Sequence, residues 1–478
     1  MNNKKNFRKV LAVSLAMTML AGTGFTTAGK YVGTNVSVSA TKVYGEFEYA
    51  VNSDDTITIE QYTGNGGDVT IPDTIDDKNI VCIGNKAFYN CNNITSVVLP
   101  NNLETIGKYA FCGCSSIKKI LLPITVSEVS LGAFQYCSAL EDITTEREDL
   151  IIIGNDAFLG TKWYDNQADG MVYFGATAYK YKNYTAKVWS LSLKDGTKGI
   201  AESAFSNCSY LRIIDFPDSL EYIGGSGLNN TKWLKEQEDG VVYAGSVAYS
   251  YKGIMPENTH IVLKDGTKGI AENAFFNEHN MVGITIPDSV KIIGRGAFYW
   301  CTGLTEVVFP TGLISVGGTA FTRCSKLNKI VISDTVSNIG TYAFFGCDNL
   351  KNVSIPQSVE KIGERAFGYH DIQGSKDEEK IDDFVIYGKV DSIAQKYAKN
   401  NDFRFVPIYD PSEIRQGDTN SDGSVDIADA LMIARADAGL IQLDEMQLAV
   451  SDVNKDNSVD IADALMVARF DAGLITAF

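Results

Sequence analysis

One spacing limits what this chain can fold into. Ala-Phe pairs end at Phe88, Phe111, Phe134, Phe158, Phe205, Phe275, Phe298, Phe321, Phe344 and Phe367, with Leu228 in place of Phe in one copy. Six of the Phe-to-Phe intervals are 23 residues and another is 24. In a typical unit, β-branched pieces lie before Pro287 and before Gly294, and Ala297-Phe298 follows. The pieces read as short strands stopped by Pro and Gly, and the Ala-Phe segment as the return turn. A unit of this length cannot bury its own apolar face, so neighbours must stack into a solenoid. The Phe of each coil then becomes a rung in a ladder along the axis.

The cysteines follow the same period. Cys91, Cys114, Cys137, Cys208, Cys301, Cys324 and Cys347 each stand three residues after a ladder Phe, and Thr161, Thr231, Glu278 and His370 fill that slot elsewhere. A slot that takes Cys or Thr implies a small inward polar row meeting backbone in the turn, with the thiols free and buried. Disulfides, a metal site or a catalytic Cys are the competing readings. From about Asp68 to His370 the pattern resembles the BspA-type leucine-rich repeats of bacterial surface and secreted proteins. That resemblance implies a fold more than a function, because the family binds unlike ligands through varied surfaces.

Two coils carry matching insertions, near 161–200 and 231–270, with every landmark offset by 70 residues. Each opens on Thr-Lys-Trp (Trp163, Trp233), passes Asp-Gly and a Tyr-rich strand, and ends in a Leu-Lys-Asp-Gly-Thr-Lys-Gly-Ile-Ala-Glu run closing at Glu202 and Glu272. Alternation predicts β-hairpins leaving the solenoid on one side. Their Trp163, Tyr173, Tyr179, Tyr181, Trp233, Tyr243, Tyr249 and Tyr251 either form the hairpins' own small core or offer stacking faces to sugar or peptide. Residues 41–67 read as an N-terminal β cap, 68–370 as the solenoid, 371–406 as a strand-helix-strand C-terminal cap, and 407–416 as a linker with two prolines.

The last sixty or so residues, 417–478, contain one acidic pattern written twice at an offset of 34. Asp418, Asn420, Asp422, Ser424, Asp426 and Asp429 recur as Asp452, Asn454, Asp456, Ser458, Asp460 and Asp463. Side-chain oxygens at positions 1, 3, 5, 9 and 12, with the position-7 carbonyl, suit a twelve-residue loop around one hard cation. An all-oxygen set without Cys or His favours Ca²⁺ over zinc or copper, and about six or seven protein ligands favour it over Mg²⁺. Two ions are therefore expected. Gly423 gives the turn at position 6, and Asn457 replaces it in the second loop. Val425 and Val459 at position 8 are expected to hold the loops back to back. No helix-forming run precedes either loop, whereas one follows each.

Duplicated loop-then-helix units with Asp at position 12 resemble the type I dockerin family over almost all of 417–478. The resemblance implies a cohesin module of a scaffold protein as partner, within the secreted cellulosome. It also implies partner contacts from Ile427, Ala428, Leu431 and Arg435 and from Ile461, Ala462, Leu465 and Arg469. The fold class is thus a β-rich leucine-rich-repeat solenoid with β-hairpin insertions, plus a small α-helical duplicated calcium-loop domain.

A basic start (Lys4, Lys5, Arg8, Lys9), an apolar run from Val10 to about Leu20 and Val38-Ser39-Ala40 read as a signal peptide over 1–40, so a secreted, extracellular protein is expected. The formal charge of −17 becomes −22 once residues 1–40 are gone, which argues against nucleic acid and anionic lipid as partners. No later segment reads as a membrane span. Only three His occur, and no nucleophile elbow, phosphate loop or zinc-protease helix is present. The sequence thus points to a non-catalytic binding or structural subunit of a cellulosome-type complex, its solenoid taking a protein or polysaccharide ligand. The alternatives are a polysaccharide-degrading enzyme or protease with its site in the insertions, and a bacterial adhesin.

Overall fold

The computed structural model describes residues 42–52, 54–182, 187–371, 378–408, 415–420, 423–443 and 445–478. Residues 1–40, read from the sequence as a signal peptide, most of 407–416, read as a linker, and the loop residue Asp422 lie outside the described residues. Two compact units emerge, one of 42–386 with 391–405 and one of 387–390 with 406–478. No helix among the described residues is long and apolar enough to cross a membrane.

The first unit is a β-solenoid. Each coil adds one two-residue strand, such as Thr105–Ile106, Glu128–Val129, Ile292–Ile293 or Lys361–Ile362, to a parallel sheet. The second residue of each pair points inward and is buried, and the first faces solvent. The ladder Phe side chains are fully buried, and rings of adjacent coils stack at 4.7 Å (Phe88–Phe111), 4.8 Å (Phe298–Phe321) and 5.1 Å (Phe321–Phe344). The return turn is tied to its neighbour by backbone: Phe88 N–H donates to Ala110 C=O at 2.7 Å, and Phe321 N–H to Ala343 C=O at 2.7 Å. To aim these N–H groups along the axis, residues two before and two after the Phe take left-handed backbone, as Tyr109 (φ 56°) and Gly113 (φ 78°) do around Phe111. The sequence reading had not located these paired left-handed positions.

All nine cysteines are free. The Sγ of Cys114, Cys137 and Cys301 each donates to the Phe carbonyl of the preceding coil at 3.0 Å. Burial pushes the Cys137 and Cys301 thiols up to about 12. Cys91, in the first coil, is only partly buried. Thr161 and Thr231 hold the slot differently. Each hydroxyl donates to its own coil's Phe158 or Leu228 carbonyl at 2.8 Å and caps a four-residue helix, α1 (Lys162–Asp165) or α2 (Lys232–Lys235).

The two insertions do not leave the solenoid, which corrects the expectation. Their second strands, Thr177–Lys182 and Val247–Lys252, pair in parallel with the next coil, each in the sheet its own hairpin begins: Ala178 opposite Ile200, Ala248 opposite Ile270. The N-terminal hairpin, Phe47–Val51 with Ile57–Tyr62, pairs the same way, Ile59 opposite Ile83. All three hairpins carry a register shift near one point, at Glu48/Tyr49, Val172/Tyr173 and Val242/Tyr243. The insertions are thus the N-terminal cap used again, and the solenoid is three capped stacks in series. Tyr62, Tyr181 and Tyr251 begin the stacks, each N–H donating to the alanine carbonyl of the next coil (Ala87, Ala204, Ala274) at 2.8, 2.9 and 3.0 Å.

Each stack ends alike. Phe158, Leu228 and Phe367 have no following Ala-Phe turn, and their N–H groups donate instead to the hydroxyls of Tyr179 (3.0 Å), Tyr249 (3.1 Å) and Tyr397 (3.0 Å). Tyr397 lies on helix α3 (Ile393–Asn400) of the C-terminal cap, between strands Val385–Gly388 and Arg404–Pro407. The hairpin aromatics therefore serve the solenoid core. Trp163 packs edge-on against Phe158 at 5.2 Å, and Trp233 against Phe216 at 5.3 Å.

Each internal hairpin occupies only one side of its coil. On the other side the coils before and after it meet directly, with Glu202 N–H donating to Ile153 C=O and Glu272 N–H to Ile223 C=O, both at 3.1 Å. The carboxylates finish the joint: Glu202 accepts Asn155 N–H at 3.0 Å and Glu272 accepts Gly225 N–H at 2.7 Å. A coil filled on one side and closed on the other is a wedge, so the unit bends at two places.

Replacing Tyr179 or Tyr249 with Phe should lower stability by about 1–3 kcal/mol in denaturant titrations, because each strands a buried N–H. An unchanged midpoint would show that the hydroxyl does not close the stack. Phe321→Ala, in mid-stack, should cost roughly 3–5 kcal/mol. Alkylation of Cys137, Cys301 and Cys324 in native protein should be slow, and fast labelling would overturn their burial.

Candidate functional site

The second unit is built on two near-identical helices, α4 (Ile427–Asp437) and α6 (Ile461–Asp471). Each starts at an Asp with extended backbone, Asp426 or Asp460, which accepts the N–H of Ala428 or Ala462 at 2.7 Å. Asp429 and Asp463 complete a capping box in each. Ala430, Ile433, Val453, Ala464 and Val467 form the small core, with Val425 and Val459 packed against it from the two loops. A third helix, α5 (Glu445–Ser451), runs directly into the second loop. That corrects the expectation that no helix precedes either loop. Its seven residues are too few to give a periodic signal, and it is tied in by tertiary contacts, Thr419 with Ser451 at 2.9 Å among them.

Both loops wrap around their own oxygens. Asp463 is fully buried; one oxygen accepts the N–H groups of Val453 (2.9 Å) and Asn454 (3.1 Å), the other that of Asp460 (3.1 Å). Asp429 does the same with Asn420 at 2.8 Å and Asp426 at 2.9 Å. At position 1, Asp452 accepts from Asp456 (3.1 Å) and Asn457 (3.0 Å), and Asp418 accepts from Gly423 (3.0 Å). Asn454 accepts from Asp456 N–H at 2.8 Å, and Asp456 from Ser458 N–H at 2.9 Å. Gly423 (φ 87°) and Asn457 (φ 70°) both take the left-handed turn expected at position 6.

Backbone N–H bonds thereby link positions 1, 3, 5 and 12 of the second loop, and every side chain in the set offers oxygen. Among the described residues no three His, Cys, Asp or Glu side chains are arranged as a metal cluster. Amide and carbonyl oxygens of Asn454 and Ser458 make up the rest of such a loop's donors, and this set fits a hard divalent cation. Such an ion would neutralise carboxylates that accept loop N–H groups.

Beyond the loops, both helices expose the same apolar face. Ile427 is 61% and Leu431 51% exposed, against 61% for Ile461 and 58% for Leu465. Ala428, Arg435, Ala462 and Arg469 are exposed beside them. Leu440 and Leu474 follow just past each helix, held by N–H bonds back to Arg435 and Arg469 and also exposed. Sequence reasoning missed this pair, although the doubled Ala-Gly-Leu-Ile at 438–441 and 472–475 marks it. The one large difference between the copies, Ala436 against Phe470, is taken up internally, since Phe470 packs on Phe478 at 4.9 Å.

A repeat solenoid with a separate doubled calcium-loop module is thus the class of protein that fold and loops define. The BspA type leucine rich repeat region matches residues 62–184, 175–252 and 257–393, and the dockerin type I domain matches 416–470. The chain belongs to the BspA-type leucine-rich-repeat family and carries a type I dockerin, a calcium-binding domain. Among curated proteins none matches. A leucine rich cell surface protein from Faecalibacterium prausnitzii is 23% identical, over 68% of this chain and 85% of its own, with a TM-score of 0.28. A leucine-rich repeat protein from Bacteroides ovatus is 22% identical over 67% and 95%, with a TM-score of 0.26.

Chelating calcium should lower the helical circular dichroism of the full chain, and returning it should restore the signal, because repelling carboxylates open the loops. Asp418→Ala combined with Asp452→Ala should abolish that response. A spectrum indifferent to chelator would exclude folding coupled to the metal.

Proposed function

We propose that this protein is a secreted, non-catalytic subunit of a cellulosome-type complex, held on a scaffold cohesin by its dockerin, with the solenoid left to bind a protein or polysaccharide. Residues 1–40 serve as the signal peptide and 407–416 as the linker between the two parts. Two calcium ions are bound, one by Asp418, Asn420, Asp422, Ser424, Asp426 and Asp429, the other by Asp452, Asn454, Asp456, Ser458, Asp460 and Asp463.

The observation that carries this reading is the doubled exposed face. A lone apolar patch on a small acidic domain is ordinary, but two copies with matching exposure beside matching capped loops suit one partner gripping either. Ile427, Ala428, Leu431 and Arg435 make one grip, and Ile461, Ala462, Leu465 and Arg469 the other. The Arg supplies a charged edge to an otherwise apolar contact.

Changing Ile427 and Ala428 to Asp should weaken binding to a matched cohesin only slightly in titration calorimetry, and changing Ile461 and Ala462 should do likewise. Changing all four should cost several kcal/mol, since both patches would then bury unpaired charge. Loss of binding in either double variant alone would mean one dedicated face. Full binding by the quadruple variant would place the contact elsewhere and sink the docking assignment.

A further inference from the structure

The solvent face of the main sheet is not fully open to solvent. Tyr222 heads the strand Tyr222–Ile223 with its side chain on that outer face, yet it is only 3% exposed. Its hydroxyl donates to Glu272 at 2.5 Å, the same carboxylate that closes the second wedge. The bend brings the other charges of this face together from far apart in sequence. Arg295, in the third stack, bonds Glu128, in the first, at 3.1 Å across 167 positions. Lys361, in the last coil, bonds Glu104, in the first stack, across 257 positions. Glu128 foremost, with Glu272, Tyr222 and Glu202 after it, favours the charged guanidinium of Arg295. Burial first, and then Arg295, lower the pKa of Lys108 on the opposite arm.

We propose that the pairs Arg295–Glu128 and Lys361–Glu104 form an electrostatic clasp that holds the first and third stacks shut over the inner face of the bend, and that the solenoid opens when they part. The wedges set the bend and the clasp sets how far it closes. Within a stack, coils are joined by backbone ladders and stacked rings, so they stay rigid. Between the arms, the two named pairs are partly exposed ion pairs, with side-chain exposures of 45% and 27% for the first and 35% and 34% for the second. Ion pairs of that kind are weak and salt-sensitive. Any ligand reaching Tyr222 and Glu272 from this side must first break them.

Zero-length carbodiimide coupling tests the clasp on the full chain, because it joins Lys to Glu only in contact. Mass spectrometry should find a Lys361–Glu104 cross-link beside a control link between Lys162 and Glu141, neighbours in adjacent coils at 2.6 Å. Raising salt to about 1 M should deplete the first several-fold relative to the control, since screening acts on the arms and not on the coil stack. Arg295→Glu should deplete it too at low salt, and Arg295→Glu with Glu128→Arg should bring it back. If Arg295→Glu also loses the control link, it has misfolded and the charge-swapped pair decides: recovery of both links supports the clasp, and failure overturns it. A Lys361–Glu104 link that is absent from native protein, or that survives both salt and Arg295→Glu with the control intact, would overturn it as well.

Discussion

A coil in this fold cannot be the last one. Each return turn aims the N–H of its ladder residue along the axis, and in the interior that group meets the alanine carbonyl of the next coil, as Phe321 meets Ala343. Where no next coil exists, a buried donor would be left without a partner, at a cost comparable to a whole hydrogen bond or more. The chain meets this three times with a tyrosine hydroxyl, from Tyr179, Tyr249 and Tyr397. The aromatic ring covers the end of the Phe ladder edge-on, at 5.2 Å for Phe158 and 6.3 Å for Phe367, while its oxygen takes the stranded N–H. Much else in the solenoid follows from this need, including why hairpins interrupt it.

A stack that can be ended can also be restarted, and restarting bends it. The hairpins supply the terminating Tyr on one residue and the opening Tyr two residues later: Tyr179 with Tyr181, Tyr249 with Tyr251. Strand periodicity puts both on the same side, so one strand closes the old ladder and opens the new. Because the hairpin fills only one side of the coil, the other side closes through Glu202 or Glu272. A local solution to a hydrogen-bonding problem thereby becomes a large-scale curvature, and curvature brings Glu104 and Glu128 to Lys361 and Arg295.

The second unit uses a different economy. It has few core residues, and its order rests on carboxylates that satisfy loop N–H groups, above all Asp429 and Asp463 inside the capping boxes. Those same oxygens belong to the donor set proposed for calcium, so the groups that shape the loops are the groups an ion would engage. The apolar residues freed from core duty, Ile427, Leu431, Ile461 and Leu465, lie exposed on the surface of the two helices, the kind of patch that marks an interaction site when it is contiguous.

Sequence alone determined what repeats. The 23-residue period placed the Phe ladder and the cysteine slot, and the offset of 34 placed both loops, their turns at Gly423 and Asn457, and the helices after them. Such features are local or periodic, so each copy confirms the others. Tertiary structure decided what happens where the period breaks. The insertions read as excursions because hairpin alternation does not say what a strand pairs with, and only the parallel pairing of Ala178 with Ile200 shows it to be a rung. Helix α5 was hidden because seven residues give too short a pattern, and its order comes from contacts with the first loop. The meeting of Arg295 with Glu128 was hidden for a stronger reason: it depends on the sum of two bends, and no residue near either partner encodes that sum.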